Sequence, residues 1–192
     1  MMKHKLGSML LAAALLLGTA APAFAEEGFV GSPTLDPGAS TDQPGIVVVM
    51  GDEEQVATAD QPMIGVTHET EEIVQINTAY IESANTTEFF ESFGAAADAK
   101  ATAAGYDLDS FVQVRTVEVF ANQLAIDAAK GEAVPMVFSV PGVEAGDVVM
   151  VAHFIQGRYA GSFLVTAGKG TVSFRVNLKE LGTYMFLKQV KR

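Results

Sequence analysis

The chain has 192 residues and contains neither cysteine nor tryptophan. The absence of cysteine excludes disulfides, thiolate metal sites and a cysteine nucleophile, so an exported chain of this kind depends on core burial for its stability. The absence of a cysteine pair and of tryptophan also excludes the core of an antibody-type domain. Four tyrosines are then the only flat rings with a polar tip that could stack on a sugar.

Several functional motifs are also missing. The sequence has no Gly-x-Ser-x-Gly elbow and no Leu-Pro-x-Thr-Gly sorting motif, and no period of 20–50 residues is evident. After Leu17 no apolar run is long enough to cross a bilayer. We therefore expect no repeat array and no membrane span once the leader is removed, while the means of attachment to an envelope stays open.

The N-terminal segment has the pattern of an export signal. Lys3 and Lys5 provide a positive start, Met9–Leu17 is an uninterrupted apolar run, and Ala23-Phe24-Ala25 places small residues at a cleavage site. The pattern predicts a signal peptide over residues 1–25 and a mature protein outside the membrane, extracellular or in the cell envelope. The alternative is an uncleaved anchor.

The charge is strongly acidic. The chain has 12 basic and 23 acidic residues, and removal of the leader takes away two lysines and no acid, which leaves a net charge of −13. Such a surface repels nucleic acid and anionic lipid and excludes the former as a partner. The remaining length corresponds to one domain.

Residues 26–69 are rich in Gly, Pro, Ser, Thr and acids, which predicts a flexible acidic linker. The uncharged, β-branched run Ile46–Met50 interrupts it. Two interpretations stay open for this run: the first strand of the domain, or a segment of a mobile arm that adds to the open sheet edge of a neighbour.

Residues 70–105 show helical spacing. Thr70 is placed to cap a helix, and a second cap pattern follows at Asn85–Glu88. The apolar positions at helical spacing are Ile73, Ile76, Tyr80 and Ile81, and then Phe89, Phe90 and Phe93. Ala95–Ala104 is rich in alanine and Gly105 suits the end of a helix. Two or three short α-helices are expected.

From residue 106 the spacing changes to the alternation of strands. Six strands are expected over Phe111–Phe120, Val134–Val140, Val148–Ile155, Tyr159–Thr166, Val172–Leu178 and Thr183–Val190. The apolar alternation changes face near Thr116, which predicts a β-bulge there, and Val148–Ile155 is apolar on both faces, as in a central strand. The predicted fold is mostly β: an antiparallel β-sandwich over residues 106–192, preceded by the short helices.

The closing strands resemble those of immunoglobulin-like modules on bacterial surfaces, through Gly170–Val176 followed by Leu181–Tyr184. The resemblance covers roughly Phe111–Lys188, and the whole chain is similar in plan to small secreted or surface proteins of anaerobic Gram-positive bacteria. It implies an immunoglobulin-like sandwich that acts as a spacer, an adhesive domain or part of an envelope assembly. It implies no catalytic residues.

Few residues form a chemical pattern. His153 is expected to be a hydrogen-bonded core or edge histidine on a strand, and His68 a solvated residue before a helix. Asp107 and Asp109 lack the remaining ligands of a calcium loop. The sequence therefore predicts no metal, no cofactor and no catalytic residue, and it does not nominate a pair among the 23 acids for glycoside hydrolysis.

Tyr159, with Arg158 beside it at a loop edge, is the best candidate for binding a ligand such as a sugar. The function expected from the sequence is a non-catalytic interaction or structural domain with an envelope protein, an extracellular protein or a glycan as partner. The alternative is a small carbohydrate-binding or hydrolytic module, which requires a concave surface where carboxylates or tyrosines converge.

Overall fold

The computed structural model describes residues 38–67, 70–83 and 93–190, all of which belong to one compact unit of the chain, Thr34–Arg192. The predicted signal peptide, the first part of the predicted linker, His68, and the cap and phenylalanines predicted at residues 85–90 lie outside these residues. Within the described residues, no helix is both long and apolar enough to cross a membrane.

Nine strands and four α-helices make up the described chain. The strands are β1 (Ala39–Thr41), β2 (Val47–Met50), β3 (Met63–Thr67), β4 (Phe111–Ala121), β5 (Val134–Ser139), β6 (Val148–Ile155), β7 (Arg158–Thr166), β8 (Thr171–Val176) and β9 (Gly182–Gln189). The helices are α1 (Glu53–Ala57), α2 (Glu71–Ser83), α3 (Ala95–Ala103) and α4 (Gln123–Ala128), and Leu108–Ser110 forms a 3-10 turn.

The strands form two sheets. One has three strands in the order β1-β5-β8, and the other has six in the order β2-β3-β4-β9-β6-β7. The chain is therefore mostly β with two sheets, as the sequence predicts. The strands within residues 106–192 pair antiparallel, as predicted, whereas β2 and β3, which precede them, pair in parallel and make the larger sheet mixed.

The order of helices and strands also differs from the prediction. The helices do not precede the sheets, because β1, β2 and β3 come before α2 and already belong to both sheets. The predicted linker over residues 26–69 thus contains three strands from residue 39 onward. The run Ile46–Met50, which the sequence left open, supplies β2, the edge of the six-stranded sheet.

The largest buried cluster lies between the two sheets. It takes alternate residues from facing strands, among them Met136 and Phe138 on β5, Phe174 on β8 and Phe186 on β9. Phe138 and Phe174 stack with their ring centroids 4.9 Å apart. Alternation places one side of each strand in this cluster, which is why period-two segments of the sequence predict it.

The opposite face of the six-stranded sheet is covered by helices. Met150 and Phe154 of β6 and Leu187 of β9 are buried there against Phe93 and Ala97. Strands β6 and β9 are thus buried on both faces, as the run Val148–Ile155 predicts for β6. The result is a three-layer arrangement of helices, a six-stranded sheet and a three-stranded sheet.

Capping side chains explain where two of the helices begin, and a β-bulge interrupts the pairing of β4. The predicted cap at Thr70 is confirmed, because its Oγ1 accepts a hydrogen bond from the Ile73 amide at 3.3 Å. Buried Asn122 caps α4 and also accepts from the Met63 amide at 3.1 Å, which ties α4 to β3. The predicted bulge in β4 lies between Gln113 and Arg115, slightly before Thr116.

Candidate functional site

Tyr159 and Arg158, the predicted ligand-binding pair, begin β7 and lie in different environments. The Tyr159 ring is half-buried and packs edge-on against Phe93, with centroids 5.3 Å apart, and against Phe154 at 5.9 Å. Its hydroxyl hydrogen-bonds to Ser162 Oγ at 2.8 Å, and burial raises the pKa of the phenol. The Tyr159 ring therefore packs against the helix-covered core and stays partly exposed. Arg158 is exposed.

His153 lies on the inter-sheet face of β6, opposite Tyr184 of β9. The two rings stack with centroids 4.3 Å apart and an angle of 3° between their planes. The Nε2 atom is buried without a hydrogen-bond partner, and burial lowers the pKa of the imidazole while nearby Glu180 partly offsets this. Burial also raises the pKa of Tyr184. The geometry is that of a packed neutral histidine, as the sequence predicts, but among the described residues Nε2 lacks the hydrogen bond that was expected.

Asp147, at the other end of β6, forms an ion pair with Lys188 at 2.8 Å and accepts a hydrogen bond from the Glu144 amide at 2.8 Å. The six residues from Asp147 to His153 span roughly 20 Å along an extended strand. Tyr159, His153 and Asp147 are therefore not brought together into one site.

A carboxylate that sequence reasoning did not single out has the most perturbed environment among the acids described. Glu118 of β4 is half-buried on the helix side of the sheet, and burial raises its pKa, as do the nearby charges of Glu72 on α2 and Glu53 on α1. A hydrogen bond with the Thr70 side chain acts in the opposite direction. The charges of acids from two other elements thus act on Glu118, and periodicity along one strand carries no signal for this.

One groove is open to solvent beside the 3-10 turn, and it has a volume of about 400 Å³. Tyr106, Asp107, Asp109, Ser110 and Gln189 contribute to its lining. Tyr106 is half-buried, with its ring edge-on to Phe111 at a centroid distance of 6.0 Å. Within residues 38–67, 70–83 and 93–190, no three His, Asp or Glu side chains are grouped so as to hold a metal ion.

The groove and the Glu118 carboxylates lie far apart. Phe111 begins β4 beside the groove, and Glu118 follows seven residues later in the same strand. At about 3.3 Å per residue, more than 20 Å separates them. An acid pair and a concave surface are both present, but not in the same place.

The outer edge of β7 is the longest open edge of either sheet. Strand β7 has nine residues and ends the six-stranded sheet, and its ladder partner is β6. It contains no acid and only one charge, Arg158 at its first position. The backbone N–H and C=O groups along such an edge are available to another strand.

The charge distribution of the sequence, which no functional motif reflects, also marks this edge. Residues 148–179 contain no aspartate or glutamate, although the chain has 23 acids, and they include Arg158, Lys169, Arg175 and Lys179. This segment supplies β6, β7 and β8, of which β7 and β8 are the outer strands of the two sheets. The strands β7 and β8, which form one edge of each sheet, therefore contribute no acidic side chain to the surface of this acidic protein.

Comparison with protein-family models, with curated protein sequences and with solved structures finds no match for this chain. The geometry above is therefore the basis of the functional argument.

Proposed function

We propose that the protein is exported through its N-terminal leader and acts outside the membrane, in the envelope or the surrounding medium, as a non-catalytic interaction domain. Its partner is an envelope or extracellular chain that adds a strand to the six-stranded sheet. The observation that carries this proposal is the edge of β7, which is nine residues long, uncharged after Arg158 and open along its backbone.

Edge strands of this kind favour partner binding for a physical reason. Monomeric proteins protect a sheet edge with short strands, with lysine or proline, or with bulges. Within the described part of the chain, β7 shows one of these devices, a register shift opposite His153 and Phe154, which leaves Gly161–Thr166 regularly paired to β6. An added strand gains main-chain hydrogen bonds along this length.

The surroundings of two candidates from the sequence, Tyr159 and His153, and of Asp147 beside β6 support a non-catalytic role. Tyr159 is packed against Phe93, His153 is stacked on Tyr184, and Asp147 is paired with Lys188. Each side chain has a structural role that accounts for its position.

The proposal is tested on cells that produce the protein. A photo-reactive residue in place of exposed Ala160 on β7 should capture a partner chain at the cell surface, and the same probe in place of exposed Glu132, in the loop before β5, serves as the matched control. N-terminal sequencing of the recovered protein should begin near Glu26. Recovery of the intact leader from the cytosol, or equal capture at both positions, would contradict the proposal.

The groove beside the 3-10 turn favours one alternative, a carbohydrate-binding module. Tyr106 offers an aromatic surface, and Asp107, Asp109 and Gln189 offer planar hydrogen-bonding groups for sugar hydroxyls. Binding of envelope glycans measured by calorimetry, lost in Tyr106→Ala and retained in Tyr159→Phe, would support this alternative. A hydrolytic version requires turnover of glycosides that Glu118→Gln abolishes, since Glu118 is the acid most suited to hold a proton.

A further inference from the structure

We propose that the strand that covers β7 is β7 of a second copy of this chain, so that two six-stranded sheets join across a two-fold axis into one continuous sheet. This inference rests on the proposed function, in which the β7 edge accepts a strand, and it names the occupant. Three features of β7 support this assignment: its contrast with the other sheet edges, the charge along the strand, and the charge at its two ends.

The other sheet edges are short or carry a charge within their length. Strand β1 has three residues and β2 has four, and acidic α1 follows β2 directly. Strand β8 has six residues with exposed Arg175 among them. Strand β7 is longer than any of these and has no charge between Tyr159 and Thr166. Among the described edges, it is the one that a pairing of whole strands fits best.

The charge along β7 permits two copies to approach there. Each mature chain carries a net charge of −13, so most surfaces of two copies repel one another. A two-fold axis at Ser162 pairs β7 with itself in the antiparallel direction. Gly161–Phe163 of the two copies pair regularly there, and beyond the register shift at Ala160 Arg158 of one copy comes near Thr166 of the other. Uncharged side chains meet along the rest of the strand, and the two arginines stay at opposite ends, roughly 26 Å apart.

The two ends of β7 are complementary in charge. Thr166 pairs with Val148, and the Ala167 amide donates to the Asp147 carbonyl at 2.8 Å, so the far end of β7 lies beside the turn Glu144–Asp147. Glu144 is exposed, and Asp147 forms an ion pair with Lys188. The antiparallel pairing therefore places Arg158 of each copy next to the acidic turn of the other, and the symmetry produces this contact twice.

The first test is the oligomeric state of the exported form, measured by analytical ultracentrifugation over a range of protein concentrations. A species of twice the monomer mass is expected. Ser162→Lys places two positive charges opposite each other at the axis and should weaken dimerisation by at least about tenfold. The matched variant Ser173→Lys, on the β8 edge, should leave it unchanged.

The second test reverses the charges at the ends. Arg158→Glu should weaken the dimer by about tenfold, and the addition of Glu144→Lys in the same chain should restore it. Because the chain has no cysteine, Ser162→Cys gives a further readout: oxidation should link two copies across the axis, whereas Ser173→Cys should stay unlinked.

A monomer at every concentration, or a dimer that Ser162→Lys does not weaken, would overturn the second-copy assignment. In that case capture of a different chain at Ala160 on the cell surface still supports the proposed function. Failure of both measurements removes the proposed function as well.

Discussion

The two faces of the six-stranded sheet are covered by different kinds of structure. On one face, strands of the smaller sheet supply a tight group of aromatic rings around Phe138. On the other face, α2 and α3 cover the sheet with small side chains such as Ala97 and Ala101, and Phe93 is the large ring at the centre. The first face is held by ladders of neighbouring strands, whereas the second depends on a few contacts from separate helices. We therefore expect the two faces to differ in cooperativity.

The largest expected effect comes from the inter-sheet core. Phe138→Ala removes a fully buried ring that contacts Phe174 and Phe186, and we expect a loss of about 4 kcal/mol in the free energy of unfolding. Urea unfolding should show this as one cooperative shift of the whole described unit. A loss below about 1 kcal/mol would show that the two sheets do not share a common core.

Phe93→Ala is the matched change on the helix-covered face. Phe93 is also fully buried and contacts Tyr80, Phe154 and Tyr159, so a loss of about 3 kcal/mol is expected. Here the loss should be local: hydrogen exchange should accelerate in α2 and α3 while the amides of β6 and β9 stay protected. Equal acceleration in helices and central strands would remove the difference between the faces.

The sequence pattern predicts the inter-sheet face of the six-stranded sheet better than its helix-covered face. Alternation along a strand fixes which side chains point inward, so β5, β6, β8 and β9 are predicted with small errors at their ends. The strands β1 to β3 are short and the segments that connect them are polar, so their sequence pattern cannot be distinguished from that of a linker. The parallel pairing of β2 with β3 depends on contacts between segments, which no local pattern encodes.

The candidate site shows the same limit. The packed role of His153 follows from its place in an apolar strand, and this prediction agrees with the stack on Tyr184. The contact between the Tyr159 ring and Phe93, from a distant part of the chain, is one that no local pattern predicts. The acids around Glu118 come from three elements, so only the tertiary structure brings them together.

The two faces should also respond to pH in opposite directions, and the helix-covered face gives the larger of the two effects. The pKa of Glu118 in the folded protein lies above its ordinary value of 4.5, so its contribution to stability is present below that pH and is lost as the pH rises through the folded pKa. At pH 7 the ionised carboxylate is destabilising. Glu118→Gln should therefore stabilise the protein there, by on the order of 0.5 kcal/mol after allowance for solvent screening.

Thermal unfolding between pH 4 and pH 8 measures this effect, with exposed Glu132→Gln as the control. The gain from Glu118→Gln should shrink as the pH falls through the raised folded pKa, where the native carboxyl takes up its proton. A gain that does not depend on pH, or that the control variant reproduces, would show that folding does not raise the pKa of Glu118.

The smallest expected effect on stability comes from His153 on the inter-sheet face, and its pH dependence has the opposite sign to that of Glu118. The pKa of His153 in the folded protein lies below its ordinary value of 6.5, so the neutral ring stabilises the fold above that pH, and this contribution is lost as the pH falls through the folded pKa. Because the ring is only half-buried, the loss should be roughly 0.3 kcal/mol. His153→Phe keeps an aromatic stack on Tyr184 and cannot titrate, so its stability should decline less than that of the native protein between pH 7 and pH 5. Parallel profiles for the two proteins would mean that protonation of His153 is not coupled to unfolding, and that the buried Nε2 atom costs the folded state nothing as the pH falls.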